Sequence, residues 1–257
     1  MPQMLCRALV LTGKPDANAV DQSAIIRARA ALDGFQIIQE DILAPGDAWR
    51  ALVVAPEDDP ITSLRARARQ ALAGAPVDVN VIPDDLAYTR KRLIVADMES
   101  TIIEQEMLDE LAGEIGLRDK VSDITERAMR GELDFAAALN ERVALLAGLD
   151  AGILDRMASE RITLIDGARA LVATMKAHGA YCALVSGGFT CFTGPVAGRV
   201  GFDQHQANAL EVKDGRITGR VVPPILGREA KRDALQSIAR QHGIDTVLTI
   251  AVGDGAN

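Results

Sequence analysis

Cysteine and histidine are scarce in this chain of 257 residues, with three of each. Cys6, Cys182 and Cys191 form no Cys-x-x-Cys pair, and His178, His205 and His242 are scattered, which argues against a zinc site. An odd, sparse cysteine set fits a reducing compartment, so the expected location is the cytoplasm. No apolar run reaches membrane-spanning length, and Met1-Pro2-Gln3-Met4 lacks the charged-then-apolar layout of a secretory signal. Internal repeats and low-complexity segments are missing as well. Basic residues are outnumbered, 28 against 36 acidic, giving a net charge of −8. That balance argues against a general nucleic-acid binder, while leaving room for a local basic pocket. What is present is ordinary globular material, 48% hydrophobic and 25% charged, in a length that suits two ordinary domains or one large one.

The first 85 residues alternate in type. Residues 4–12, 35–43, 49–55 and 77–82 read as strands, and 19–33 and 60–73 as helices stopped by Gly34 and Gly74. Pro45-Gly46-Asp47 marks a turn between two of the strands. The order βαββαβ is the split-βαβ plan of ferredoxin-like α+β domains. Nothing in it looks catalytic, and Arg65, Arg67 and Arg69 read as a solvated helix face. Pro83-Asp84-Asp85 reads as a joint, placing one domain at 1–85 and a second at 86–257.

The second region is organised around Leu93-Ile94-Val95-Ala96-Asp97-Met98-Glu99-Ser100-Thr101. The apolar run predicts a buried parallel strand that stops at an acid. Ligands of open α/β sheets bind beyond the carboxyl ends of strands, which would put Asp97 at a site mouth. In locally extended chain Asp97 and Glu99 face one way. Paired carboxylates can bind Mg²⁺, or divide into a nucleophile and a general acid/base. Equally, they can be solvated acids ahead of a helix that Ser100 or Thr101 caps.

From 104 to about 162 the pattern is helical, with stops at Gly116, Gly131 and Gly148 and a cap at Asp150. Four short helices inserted after a strand-end acid would form a cap over it. Glu106 and Arg142 lie within this insertion. The α/β pattern then resumes: a helix at 167–178, and a strand at 180–185 ended by Ser186-Gly187-Gly188, a turn able to meet an anion. A hairpin follows at 207–222, turning at Asp214-Gly215, then a helix at 228–242 carrying Lys231, and a strand at 246–252 ending at Asp254 between glycines. Two strand-end acids, a Ser-Gly-Gly turn, a helical lid and a lysine together suggest an oxyanion substrate with Mg²⁺.

This set resembles the phosphoserine phosphatases of the haloacid dehalogenase superfamily over about residues 90–257. Their Asp-x-Asp-Ser-Thr motif corresponds to Asp97–Thr101, Ser-Gly-Gly-Phe to Ser186–Phe189, the helical lysine to Lys231 in Gly227–Lys231, and Gly-Asp-Gly-Ala-Asn-Asp to Gly253–Asn257. The stretch Ile124–Met129 and the Arg142-Val143 region look like that family's lid, and residues 1–85 look like the ACT-like extension some members carry. Two departures stand out. Glu99 replaces the second aspartate with a side chain one methylene longer, which predicts imperfect proton-transfer geometry and a Glu99→Asp variant as fast or faster. The chain also stops at Asn257, before the motif's last aspartate.

The resemblance implies a Rossmann-like parallel sheet with an inserted helical cap, and Mg²⁺-dependent hydrolysis of O-phospho-L-serine through an aspartyl phosphate. It implies Asp97 as nucleophile, Glu99 as acid/base and Lys231 as charge stabiliser. Asp97, Glu99 (through its backbone carbonyl) and Asp254 would hold the metal. Glu106, Arg142, Ser186, Gly187, Lys231 and Asn257 would bind substrate. The expected partner is the small molecule alone, with no nucleic acid or membrane, in a chain that can form a homodimer. Two alternatives stay open: another small phosphomonoester such as phosphohomoserine, or a non-catalytic amino-acid-sensing module.

Overall fold

The computed structural model describes residues 5–55, 60–227 and 229–255. The chain divides into two compact units, Met1–Thr89 and Arg90–Asn257.

The first unit runs β1 (Leu5–Gly13), α1 (Gln22–Ala31), β2 (Gln36–Ala44), β3 (Ala48–Ala55), α2 (Ile61–Ala71), β4 (Val77–Pro83) and a short α3 (Asp84–Tyr88). Its sheet has the order β2-β3-β1-β4 with antiparallel neighbours, the ferredoxin-like arrangement expected from the strand and helix order. Period-two alternation sends Leu9, Leu11, Ala51, Val53, Val79 and Val81 to one face. There they form a core with Ala24 and Ala28 of α1 and Leu64 and Ala68 of α2.

The second unit is a five-stranded sheet of order β8-β7-β6-β5-β9. β5 (Leu93–Ala96) lies inside the sheet, between β6 and β9. The cap follows as α4 (Met107–Glu114), α5 (Arg118–Met129), α6 (Phe135–Ala144) and α7 (Gly152–Glu160), four helices where the glycine stops predicted them. Then come α8 (Ala168–Ala177), β6 (Tyr181–Phe189), α9 (Thr190–Val200), β7 (Gln204–Lys213), β8 (Arg216–Val222), α10 (Ala230–Gln241) and β9 (Thr249–Val252). β5, β6, β7 and β9 are parallel, and β8 turns back along β7. Each face of β5 feeds a separate core. Ile94 and Ala96 pack with Val172 of α8 and Phe192 of α9, while Leu93 and Val95 pack with Ala234 and Ile238 of α10. This explains the unbroken apolar run, because the strand is covered on both sides.

Three details depart from the sequence reading. β6 does not end at Val185 but continues through Phe189. Val185 pairs with Gln206 and Phe189 with Asn208, so Ser186–Gly188 carries two extra residues as a bulge inside the strand. The expected hairpin's first strand, β7, is a full member of the main sheet. The strand expected at 246–252 starts with a 3₁₀ turn, Thr246–Leu248, because the Asp245 side chain accepts the Val247 N–H at 3.1 Å and holds the chain in a turn.

The cap is fastened at two places. At its root Ile103 bridges to Leu164. At its far side the Gly148 N–H donates to Ile217 of β8 at 2.8 Å and the Ile217 N–H donates to Leu149 at 2.9 Å. Gly219 of β8 lies so close to the cap that a Cβ there would meet the Ala147 Cβ at 2.9 Å.

Candidate active site

A cleft of about 340 Å³ opens beyond the carboxyl end of β5, where core and cap face each other. Asp97, the first residue after β5, is 4% exposed. Its backbone N–H donates to Val252 at 2.9 Å, which locks it to the end of β9. Its Oδ1 accepts the Met98 N–H at 2.8 Å, and its Oδ2 accepts a short hydrogen bond from Lys231 Nζ. Lys231 stands in the first turn of α10, whose packing on Leu93 and Val95 aims it at the same strand end. Asp254 follows β9 and lines the cleft beside them.

Glu99 also lines the cleft, with its side chain half-buried. Burial, reinforced by the nearby Glu106 charge, pushes its pKa up to about 8. Near neutral pH it therefore holds a proton. Its Oε1 accepts the Met107 N–H at 3.0 Å, one of the unpaired donors at the start of α4. Gly188 passes so close that a Cβ there would lie 2.9 Å from Oε2. The extra methylene of glutamate spans to the helix start, and a residue with no side chain makes room for it. These contacts give the longer Glu99 side chain a defined place; the expectation of imperfect proton transfer there is one for kinetics to decide.

Ser100 adopts a left-handed backbone (φ 51°), which costs a non-glycine residue roughly 1–2 kcal/mol. The turn lets its hydroxyl donate to Glu106 Oε1 at 2.7 Å. Burial raises the Glu106 pKa as well, and the Ser100 bond partly offsets it. Arg142, on α6, comes from the cap side. Its Nε donates to the Ala138 carbonyl at 3.3 Å, and burial lowers its pKa although Asp109, Glu99 and Glu106 all favour its charge.

The structure thus gathers Asp97, Glu99, Glu106, Arg142, Gly187, Lys231 and Asp254 around one space. Ser186 does not line it: the residue is 2% exposed, and its Oγ accepts the Gly188 N–H at 2.9 Å. Asn257 lies outside the described residues. Four residues of the cleft had gone unread in the sequence: Leu108, Asp109, Phe135 and Leu139. Asp109 sits one helical turn past Glu106, a spacing that could have flagged it. Phe135 begins α6 and touches both core glycines of the cleft. A Cβ on Gly187 would come within 3.2 Å of its ring and one on Gly227 within 3.4 Å.

Five acidic side chains (Asp97, Glu99, Glu106, Asp109, Asp254) face two basic ones (Arg142, Lys231) in this cleft. Such an excess of acid suits a cationic guest. Among the described residues no group of three His, Cys, Asp or Glu side chains is arranged to hold a metal. The Glu99 carboxyl is engaged by the Met107 N–H and lies against Gly188. The carboxylates of Asp97 and Asp254, which line the same cleft, are oxygen donors of the kind that suit Mg²⁺, an ion that keeps several waters of its own.

The chain is similar to known proteins along these same lines. The family model of haloacid dehalogenase-like hydrolases matches residues 94–257. A phosphoserine phosphatase of Streptomyces coelicolor is 40% identical over 259 residues, covering 100% of this chain and 62% of its own length. One of Streptococcus thermophilus is 44% identical over 167 residues, covering 65% of this chain and 77% of its own. The solved structure of a probable phosphoserine phosphatase from Vibrio cholerae, unliganded, superposes with a TM-score of 0.76 at 30% identity, covering 98% of this chain and 73% of that one. This chain therefore spans less than two thirds of the Streptomyces protein's length, although the match covers this chain throughout. The strand-end acids, the inserted helical cap and the family match agree: the chain belongs to the haloacid dehalogenase-like hydrolases.

Proposed function

We propose that this chain is a Mg²⁺-dependent phosphatase that hydrolyses O-phospho-L-serine to L-serine and phosphate. The observation that carries the reading is the pairing, in one cleft, of Asp97 held by Lys231 with a carboxyl at Glu99 whose burial keeps its proton near neutral pH. Neighbouring acids with environments this different divide naturally into nucleophile and proton donor.

In this mechanism Asp97 attacks phosphorus and forms an aspartyl phosphate as the bond to the seryl oxygen breaks. Glu99 gives its proton to that leaving oxygen, then takes one from the water that hydrolyses the aspartyl phosphate. Lys231 leaves the Asp97 carboxylate to balance charge on the phosphoryl oxygens. Asp97, the Glu99 carbonyl and Asp254 would hold Mg²⁺, which supplies Lewis-acid stabilisation of phosphoryl charge when bound. Glu106 receives the substrate ammonium, and Arg142 meets its carboxylate with a planar guanidinium suited to two parallel hydrogen bonds. The Gly187 backbone, which lines the cleft, serves the phosphate, and the Ser186 hydroxyl braces that turn through the Gly188 N–H. The relatives' shared activity, together with a cleft that offers both an acid and an arginine on its cap side, supports the amino-acid phosphate over other phosphomonoesters.

The test is orthophosphate release from O-phospho-L-serine by the purified chain, with Mg²⁺ and with a chelator. Release is expected only with the metal. Turnover of an aryl phosphate with none of phosphoserine would overturn the substrate, and release that persists in the chelator would overturn the metal.

A further inference from the structure

We propose that Asn208, in the middle of β7 and outside the cleft, is the positioning residue of the phosphate site; this rests on the function proposed above. Asn208 is 1% exposed, and its side-chain amide binds two segments that carry phosphate-site residues. Its Nδ2 donates to the Gly187 carbonyl at 2.7 Å and to the Leu226 carbonyl at 3.2 Å, and its Oδ1 accepts the Leu226 N–H at 2.7 Å. The first bond reaches the bulge Ser186–Gly188, where the β6–β7 ladder is interrupted between Val185 and Phe189. The other two hold the residue that precedes Gly227, at the entrance to α10 and Lys231.

The action on the bulge follows from peptide geometry. The Gly187 carbonyl and the Gly188 N–H belong to one planar trans unit, so they point in opposite directions. Asn208 holds the carbonyl end, and Ser186 Oγ holds the N–H end at 2.9 Å. Fixing one end therefore fixes where the Ser186 hydroxyl sits. That hydroxyl is the acceptor in this bond and so braces the bulge whose Gly187 lines the cleft. Asn208 is thus a side-chain substitute for missing ladder rungs. It holds a bulge open in a buried strand and binds it to the Leu226-Gly227 segment. The cap residue Phe135 rests on both joined pieces, at Gly187 and at Gly227.

The experiment uses the full chain with Mg²⁺ and reads orthophosphate and L-serine affinities by calorimetry, with thermal stability alongside. Asn208→Ala should weaken orthophosphate roughly tenfold, about 1.4 kcal/mol, while L-serine, which meets the cap residues, stays within about twofold. Because Asn208 acts through the bulge, adding it to Ser186→Ala should cost little beyond Ser186→Ala alone. An unchanged orthophosphate affinity, equal losses for both ligands, or fully additive losses would each overturn the proposal. If Asn208→Ala does not fold, Asn208→Asp gives the same reading, because it is isosteric, keeps the acceptor for Leu226 and loses the donors. Amide exchange of Gly188 in the parent chain needs no variant: slow exchange is expected, and fast exchange would overturn the clamp. A parent that binds orthophosphate but releases none from phosphoserine fails the substrate reading alone.

Discussion

The Glu99 carboxyl caps the first helix of the lid: its Oε1 accepts the Met107 N–H at 3.0 Å. The side chain that the proposed mechanism uses as acid/base therefore also holds the start of α4. The contact depends on the length of glutamate.

Glu99→Asp should consequently slow turnover of phosphoserine by about ten- to a hundredfold, since a carboxyl displaced by about 1 Å loses its alignment. Glu99→Gln keeps an acceptor for Met107 but has no proton to give, and should lose about 10²–10⁴-fold in kcat. The measurement is kcat for the parent and both variants. An aspartate variant as fast as the parent would show that the contacts seen around Glu99 have no catalytic weight.

Glu99 also makes stability depend on pH. Its pKa rises from 4.5 to about 8 on folding, so the folded chain binds a proton that the unfolded chain releases. This contribution is fully present below pH 4.5 and is lost as pH rises through 8. In metal-free protein the parent should lose thermal stability across that window relative to Glu99→Gln, which does not titrate. Melting curves at several pH values decide it, and parallel curves would contradict a protonated Glu99.

Asp97→Asn should abolish turnover, by about a thousandfold or more, because it removes the attacking group. The fold should survive, since Asp97 contributes a backbone bond to Val252 that asparagine keeps. Mass spectrometry of protein quenched during turnover should find phosphate on residue 97 of the parent and none on the variant. Phosphate bonded elsewhere would reassign the nucleophile.

Arg142→Ala should weaken phosphoserine by about 2–4 kcal/mol, the scale of stranding one partner of a buried charge pair. An aryl phosphate lacks the carboxylate and should be far less affected. Comparing kcat/KM on the two substrates separates a specificity role from a structural one, which would lower both alike.

Much of this protein was legible in its residues. Local physics sufficed where one segment carried the whole signal. The doubly covered strand at Leu93–Ala96 showed as an unbroken apolar run, the cap helices were delimited by Gly116, Gly131 and Gly148 at positive φ, and the βαββαβ order dictated the first sheet. The acids at the strand ends and Lys231 were visible for the same reason. Tertiary structure decided what depends on partners distant in sequence. Ser186–Gly188 looked like a turn, but β7 lies alongside and Asn208 supplies the bond that keeps the strand going. Asp109 and Phe135 entered the cleft only once the cap helices had packed. Above all, a lone glutamate has an ordinary pKa. The surroundings formed by Met107, Gly188 and Glu106 give Glu99 its proton, because burial disfavours charge and only the folded chain creates burial.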